Sequence, residues 1–168
     1  MKFIKHFLLV LLVPIIQGCG FYSLSGISIS PDVKTFQVNN FQNTAVLVEP
    51  GLDRQFTIDL QDLILNQTNL SLVNSGGDIV YEGEITQYYI APNTATADNT
   101  AAQNRLTIGV SLRYYDTKDE TQDLEQTFSF FVDYAASAPL IGAQKESAHE
   151  EIFERITQDM FNATLARW

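Results

Sequence analysis

Reactive side chains are scarce in this chain. It has one cysteine, Cys19, and two histidines, His6 and His149. No disulfide can form within the chain, and clustered His or Cys metal sites and Cys–His catalysis are excluded. Basic residues are few as well, ten Lys and Arg against twenty Asp and Glu, for a formal charge of −10. A chain with that field does not bind nucleic acid through general electrostatics. The sequence has no glycine-rich phosphate loop, no nucleophile elbow and no metalloprotease helix motif. A Ser-His-Asp triad would have to use His149, which sits among Glu146, Glu150 and Glu151 in a helical stretch and reads as part of a solvated face. Long apolar runs are missing too, except for one at the start.

That run decides the address. Lys2 and Lys5 give a short positive start, Phe7 to Val13 is an apolar core extended by Pro14, Ile15 and Ile16, and the segment closes on Gln17-Gly18-Cys19. The layout is that of a secretory signal and is too short to span a membrane. Small Gly18 ahead of the lone cysteine makes it a lipoprotein signal. Residues 1–18 are expected to be cleaved, with a diacylglycerol on the Cys19 sulfur and an acyl chain on its new N-terminus. One acyl chain binds a membrane only marginally, but two or three on one residue hold it there. No other cofactor is expected. Residues 19–32 are Ser- and Gly-rich, carry no charge before Asp32, and read as a lipidated tether. Without an Asp beside Cys19, the expected location is the outer membrane, in its periplasmic leaflet.

Cleavage leaves 150 of the 168 residues, enough for one domain over residues 33–168. Lys2 and Lys5 leave with the signal, so eight basic residues then face twenty acidic ones and the charge becomes −12. Lys34 to Val38 alternates as a half-buried strand does. After Gly51, the residues Leu52, Phe56, Leu60, Leu63 and Ile64 share one face of a helix. Leu70–Val73 is apolar enough for a short strand, and Asn74 to Asp78 is a turn cluster. Next, Ile79, Tyr81, Ile85 and Tyr89 are placed on one side of a strand, and Glu82, Glu84, Thr86 and Tyr88 on the other. Residues 91–103 read as a flexible Ala/Thr/Asn loop. Two strands with strict alternation come next, through Leu106–Tyr115 and Leu124–Tyr134, joined by the charged Asp116–Asp123 connection. A last helix carries Ala148, Ile152, Ile156, Met160 and Ala163 on one stripe. The expected fold is α+β: a two-layer sandwich with a roughly four-stranded, mostly antiparallel sheet and two helices packed on one face.

The other face of that sheet is not purely polar. Tyr88, Tyr115 and Phe131 stand among Thr, Ser and Glu, with Arg105 and Arg113 on the central strand. Such a face can contact a polar, partly aromatic partner. Gathered with Lys118, the two arginines form the best local basic group for an anionic ligand. The alternative is cross-strand pairing of the arginines with Glu82, Glu84, Glu125 or Asp133.

Several segments, in their order and spacing, resemble the lipopolysaccharide-assembly lipoprotein family LptE in its Bacteroidota form. They are Gly18-Cys19-Gly20, Tyr22 to Gly26, Ser28-Ile29, Lys34 to Val38 with Phe41, Gln67 to Leu70, Tyr81 to Thr86, Asn104 to Ile108 and the terminal Trp168. The resemblance implies a sheet of about four strands with two helices on one face, and no enzymatic activity. It implies a lipoprotein that sits in the lumen of a large outer-membrane β-barrel, LptD, plugs it, helps it assemble, and takes part in moving lipopolysaccharide to the outer leaflet. It also implies contact with lipopolysaccharide, for which Arg105, Arg113 and Lys118 are the expected residues, with Tyr88, Tyr115 and Phe131 expected against the barrel. Two other readings stay open on the residues alone. One is a free-standing lipoprotein that binds a small hydrophobic or glycan ligand. The other is a hydrolase using the paired carboxylates Glu82 and Glu84.

Overall fold

A computed structural model describes residues 29–93 and 103–166. Cys19 and residues 94–102 of the Ala/Thr/Asn segment lie outside them. The strands are β1 (Thr35–Val38), β2 (Gln42–Asn43), β3 (Ser71–Leu72), β4 (Ile79–Asn93), β5 (Gln103–Asp116) and β6 (Leu124–Ala135); the helices are α1 (Leu52–Gln67) and α2 (Gly142–Leu165). All six strands form one sheet in the order β3-β1-β4-β5-β6, with β2 also on β4.

The expected architecture is corrected in its detail. The sheet has six strands rather than four and is mixed. β1 pairs in parallel with β3 and β4, and β2 in parallel with β4, while the long β4-β5-β6 meander is antiparallel. The parallel pairs are short. β2 has two residues, too few for any period to show in the sequence. Parallel neighbours need a crossover, and α1 supplies the one between β1 and β3.

One apolar core fills the space between the helices and one sheet face. Ile79, Tyr81 and Ile85 from β4, the run Leu106, Ile108, Val110, Leu112 and Tyr114 from β5, and Phe128 from β6 are buried there. They meet Leu52, Phe56, Leu60 and Ile64 of α1 and Ala148, Ile152, Phe153, Ile156 and Met160 of α2. Helix α1 starts at Gly51, whose φ of 82° lies in the left-handed region that glycine enters at no steric cost. Its Thr57 Oγ1 donates to the carbonyl of Asp53 at 2.8 Å and accepts from the Phe41 amide at 3.1 Å. That ties the helix to the segment between β1 and β2. Tyr81, wholly buried, shares a hydroxyl hydrogen bond with Thr164 of α2 at 2.8 Å.

The β4 alternation breaks once. Ile85 pairs with Val110 and Gln87 with Gly109, leaving Thr86 as an extra residue. Such a bulge shifts the parity of everything after it. Tyr88 therefore turns inward and is 4% exposed, whereas Tyr89 turns outward and is 48% exposed. The unbroken alternation expected from the sequence reverses these two residues.

Candidate functional site: the open sheet face

The sheet face away from the helices is built in rows by the β4-β5-β6 register. One row sets Tyr89, Thr107 and Phe131 side by side; the next sets Ala91, Arg105 and Asp133. Further along, Glu82, Arg113 and Glu125 form a row, and Val80 and Tyr115 another. Tyr89, Tyr115 and Phe131 are all exposed there. Tyr115 and Phe131 thus occupy the face the sequence assigned them, while Tyr88 does not and Tyr89 takes its place.

Arg105, Arg113 and Lys118 are each already engaged. Arg105 Nε donates to Asp133 Oδ1 at 2.7 Å and its second nitrogen to Oδ2 at 2.8 Å, a two-point fork. The same guanidinium lies 3.6 Å above the Phe131 ring centroid. Asn93 also donates to Asp133 Oδ2, at 3.0 Å. Arg105 beside it, first by hydrogen bonding, holds the Asp133 carboxyl below the usual carboxylate range. Arg113 Nε donates to Glu82 Oε1 at 3.1 Å. These are two of the cross-strand pairings weighed from the sequence. Eight residues of strand separate the arginines, about 27 Å at 3.4 Å per residue, so they do not converge on one ligand.

Lys118 sits in the connection after β5 and reaches back to Asp78 Oδ1 at 2.8 Å. Asp78 Oδ2 accepts from the amides of Lys34 and Thr35 at 2.9 and 3.0 Å and from the Thr35 hydroxyl at 2.9 Å. Lys118 and these donors hold the Asp78 carboxyl far below its ordinary value. Asp78 thus clamps the start of β4 to the start of β1, and Lys118 ties the connection after β5 to it. Glu82 and Glu84 have separate partners: Glu82 accepts from Asn39 Nδ2 at 3.1 Å as well as from Arg113, while Glu84 accepts from the Thr44 hydroxyl at 3.1 Å.

On the helix side, His149 is not the solvated residue its acidic neighbours imply. It is half-buried, with Nε2 3.0 Å from the Tyr88 hydroxyl and its ring stacked on Phe153. Burial pushes the imidazole below its ordinary value, opposed by Glu49 and aided by Lys145, which is itself paired with Glu49 at 2.5 Å. Burial likewise raises Tyr88 to about 12, so its hydroxyl stays protonated throughout the physiological range. The depressed His149 value has a definite sign. The unfolded imidazole titrates near 6.5, and below that pH the unfolded chain takes up the proton first. Stability is therefore fully present above about pH 6.5 and declines as pH falls toward the folded value. Urea unfolding of the full chain between pH 7.5 and 5 is expected to show that decline, and His149→Gln is expected to flatten it. Parallel pH slopes in the two proteins would remove His149 as the cause.

One surface feature had no sequence signal. Val46, Leu47 and Val48, between β2 and α1, are all exposed, Val46 fully so. Their loop is pinned at its feet by Thr44 N to the Ile85 carbonyl at 3.0 Å, Asn43 Nδ2 to the Glu49 carbonyl at 3.3 Å, and the Glu49–Lys145 pair. Three apolar residues in a row read as interior until the chain is folded. Among the described residues no cluster of His, Cys, Asp or Glu could hold a metal ion, and no helix is long and apolar enough to cross a membrane.

Among solved structures the chain is similar to the hypothetical protein CT253 from Chlamydia trachomatis, with a TM-score of 0.54 and 11% identity over 80% of this chain and 99% of that one. It is also similar to protein XCC0632 from Xanthomonas campestris, with a TM-score of 0.52 and 11% identity over 83% and 90%. Rare lipoprotein B from Shewanella oneidensis matches at a TM-score of 0.44 and 14% identity over 76% and 89%. The first two likenesses show a shared fold; the third carries no argument at that score. No curated protein matches the chain. The family model described as LptE, lipopolysaccharide-assembly, matches residues 33–164, and the chain belongs to that family.

Proposed function

We propose that this protein is an outer-membrane lipoprotein, anchored through acyl chains on Cys19, that fits within the lumen of an LptD-type β-barrel and helps it assemble for lipopolysaccharide transport. The observation that carries this reading is the open sheet face. A barrel lumen is polar, and the widest barrels are plugged rather than left open. The face toward such a wall should be polar and aromatic with its charges paired, and this one has Tyr89, Tyr115 and Phe131 set among Thr and Ser with both arginines in ion pairs. In this reading Arg105 and Arg113 brace the face, and Lys118 braces the strand start. Lipopolysaccharide phosphate would have to displace a carboxylate from each of them.

The test is recovery of the full lipidated chain from outer membranes in mild detergent, with co-purifying proteins identified by mass spectrometry. A large LptD-type barrel in near-equal amount is expected. Recovery of the lipoprotein alone, folded and stable, would overturn the reading. Arg105→Glu with Arg113→Glu in the same preparation separates bracing from lipid contact: loss of lipopolysaccharide binding with the barrel retained would assign the arginines to the lipid.

A further inference from the structure

The sheet ends on a long unpaired edge. β6 spans twelve residues, Leu124–Ala135, with β5 on one side and no described strand on the other. Which of its residues carry the unpaired backbone groups is fixed by the ladder. Asn39 N donates to the Tyr81 carbonyl and Thr44 N to the Ile85 carbonyl, so the core-facing residues of β4 send their backbone groups toward β1 and β2. Its outward residues Val80, Glu82 and Glu84 must then bond β5 through their register partners Tyr115, Arg113 and Ser111. Alternation carries the rule across the sheet. The core-facing residues of β5 bond β6, where Gln126, Phe128, Phe130 and Val132 receive them. That leaves Glu125, Thr127, Ser129, Phe131 and Asp133 with their amides and carbonyls directed off the sheet.

This edge lacks the usual protection. Natural edge strands are blunted by Pro, Lys, bulges or shortness. β6 has neither Pro nor Lys, its register with β5 runs unbroken from Leu124 to Ala135, and Thr127 to Val132 reads Thr-Phe-Ser-Phe-Phe-Val with no charge, Gly or Pro. Left bare, such a segment is an aggregation hazard. We propose that the β6 edge is an interaction site that takes up an extended segment of another polypeptide by main-chain pairing, with a basic residue of that segment beside Glu125.

Charge selects the occupant. Glu125 is exposed and makes no hydrogen bond or ion pair among the described residues, because its row neighbour Arg113 bonds Glu82 instead. A second copy of this chain is the wrong partner. β6 carries no Lys or Arg, so no register of a second β6 supplies that cation: antiparallel pairing centred on Ser129 places Glu125 opposite Asp133 of the other copy, where like charges repel, and pairing centred on Phe130 places it opposite Ala135. A strand within a closed barrel wall is also the wrong partner, since its own edges are already bonded. The occupant is an extended loop or tail.

The test is amide exchange read residue by residue on the full chain, in native outer-membrane vesicles and again after purification in detergent. Gln126, Phe128 and Phe130 are expected to be slow in both states. Thr127, Ser129 and Phe131 are expected to be slow in the vesicles and at least tenfold faster in the purified chain. Equal exchange of the outer set in both states overturns the proposal, whether or not a barrel co-purifies. Photo-crosslinking from position 127 in the vesicles identifies what covers the edge: a segment of a different polypeptide supports the proposal, and crosslinks only to lipid or to a second copy overturn it. Ser129→Pro removes an outward amide and no internal bond, so it is expected to fold and to lose the crosslink.

Discussion

Phe56→Ala is expected to lower the stability of the domain by about 4 kcal/mol, within the usual range for emptying a buried aromatic site. Phe56 is fully buried, and it is the middle of a three-ring chain. Its centroid lies 5.0 Å from that of Phe41 at 68° and 5.1 Å from that of Phe153 at 79°, both edge-to-face. Those rings come from three elements: the β1–β2 link, α1 and α2. Loss of the middle ring leaves a void that neither helix can close without dragging the other, because α2 is fixed independently through Thr164 to Tyr81. Equilibrium urea unfolding measures the effect. A loss under about 1.5 kcal/mol would mean that the helices collapse onto the gap and the ring chain does not set their spacing. Since Phe153 also carries the His149 ring, the same variant is expected to loosen the Tyr88–His149 contact, solvate the imidazole and so flatten the acid sensitivity that its burial confers.

The elements with a long period can be read directly. Four-residue spacing from Leu52 to Leu60 and from Ala148 to Met160 places both helices, and strict alternation places β5 and β6. What escapes is set by contact rather than by pattern. β2 exists because Thr44 and Asn43 meet β4 across about forty residues of sequence. The bulge at Thr86 is invisible because two tyrosines come after it: exchanging Tyr88 for Tyr89 between faces leaves the composition of each face the same. The open face is legible in its residues and in the acids that pair with its arginines. The choice of Asp133 for Arg105 and Glu82 for Arg113 comes from cross-strand register, which no local pattern encodes. His149 misleads because its acidic neighbours in sequence point outward, while its own position faces Tyr88.

Gly83→Ala is expected to cost about 3 kcal/mol, at the upper end for overpacking. Gly83 lies on the core side of β4 in the segment Tyr81 to Thr86, where the alternation calls for a large apolar residue. A methyl group there would stand 2.1 Å from the Ser111 carbonyl oxygen and 2.7 Å from Cε1 of Phe41. Phe41, wholly buried, occupies the space that a side chain at position 83 would otherwise fill. The glycine thus lets a ring from the β1–β2 link pack against the middle of the sheet and reach Phe56. Of the two clashes, the one with backbone decides the outcome. Phe41 can be trimmed, but the Ser111 carbonyl belongs to β5 and moves only if the β4–β5 ladder opens. Gly83→Ala placed in a Phe41→Leu background is therefore expected to remain destabilising by well over about 1 kcal/mol relative to Phe41→Leu alone. Full rescue in that background would shift the cause to the ring and away from the ladder. An opened ladder would also disturb the Glu82–Arg113 pair beside it, so the same variant is expected to weaken that pair as it weakens the fold.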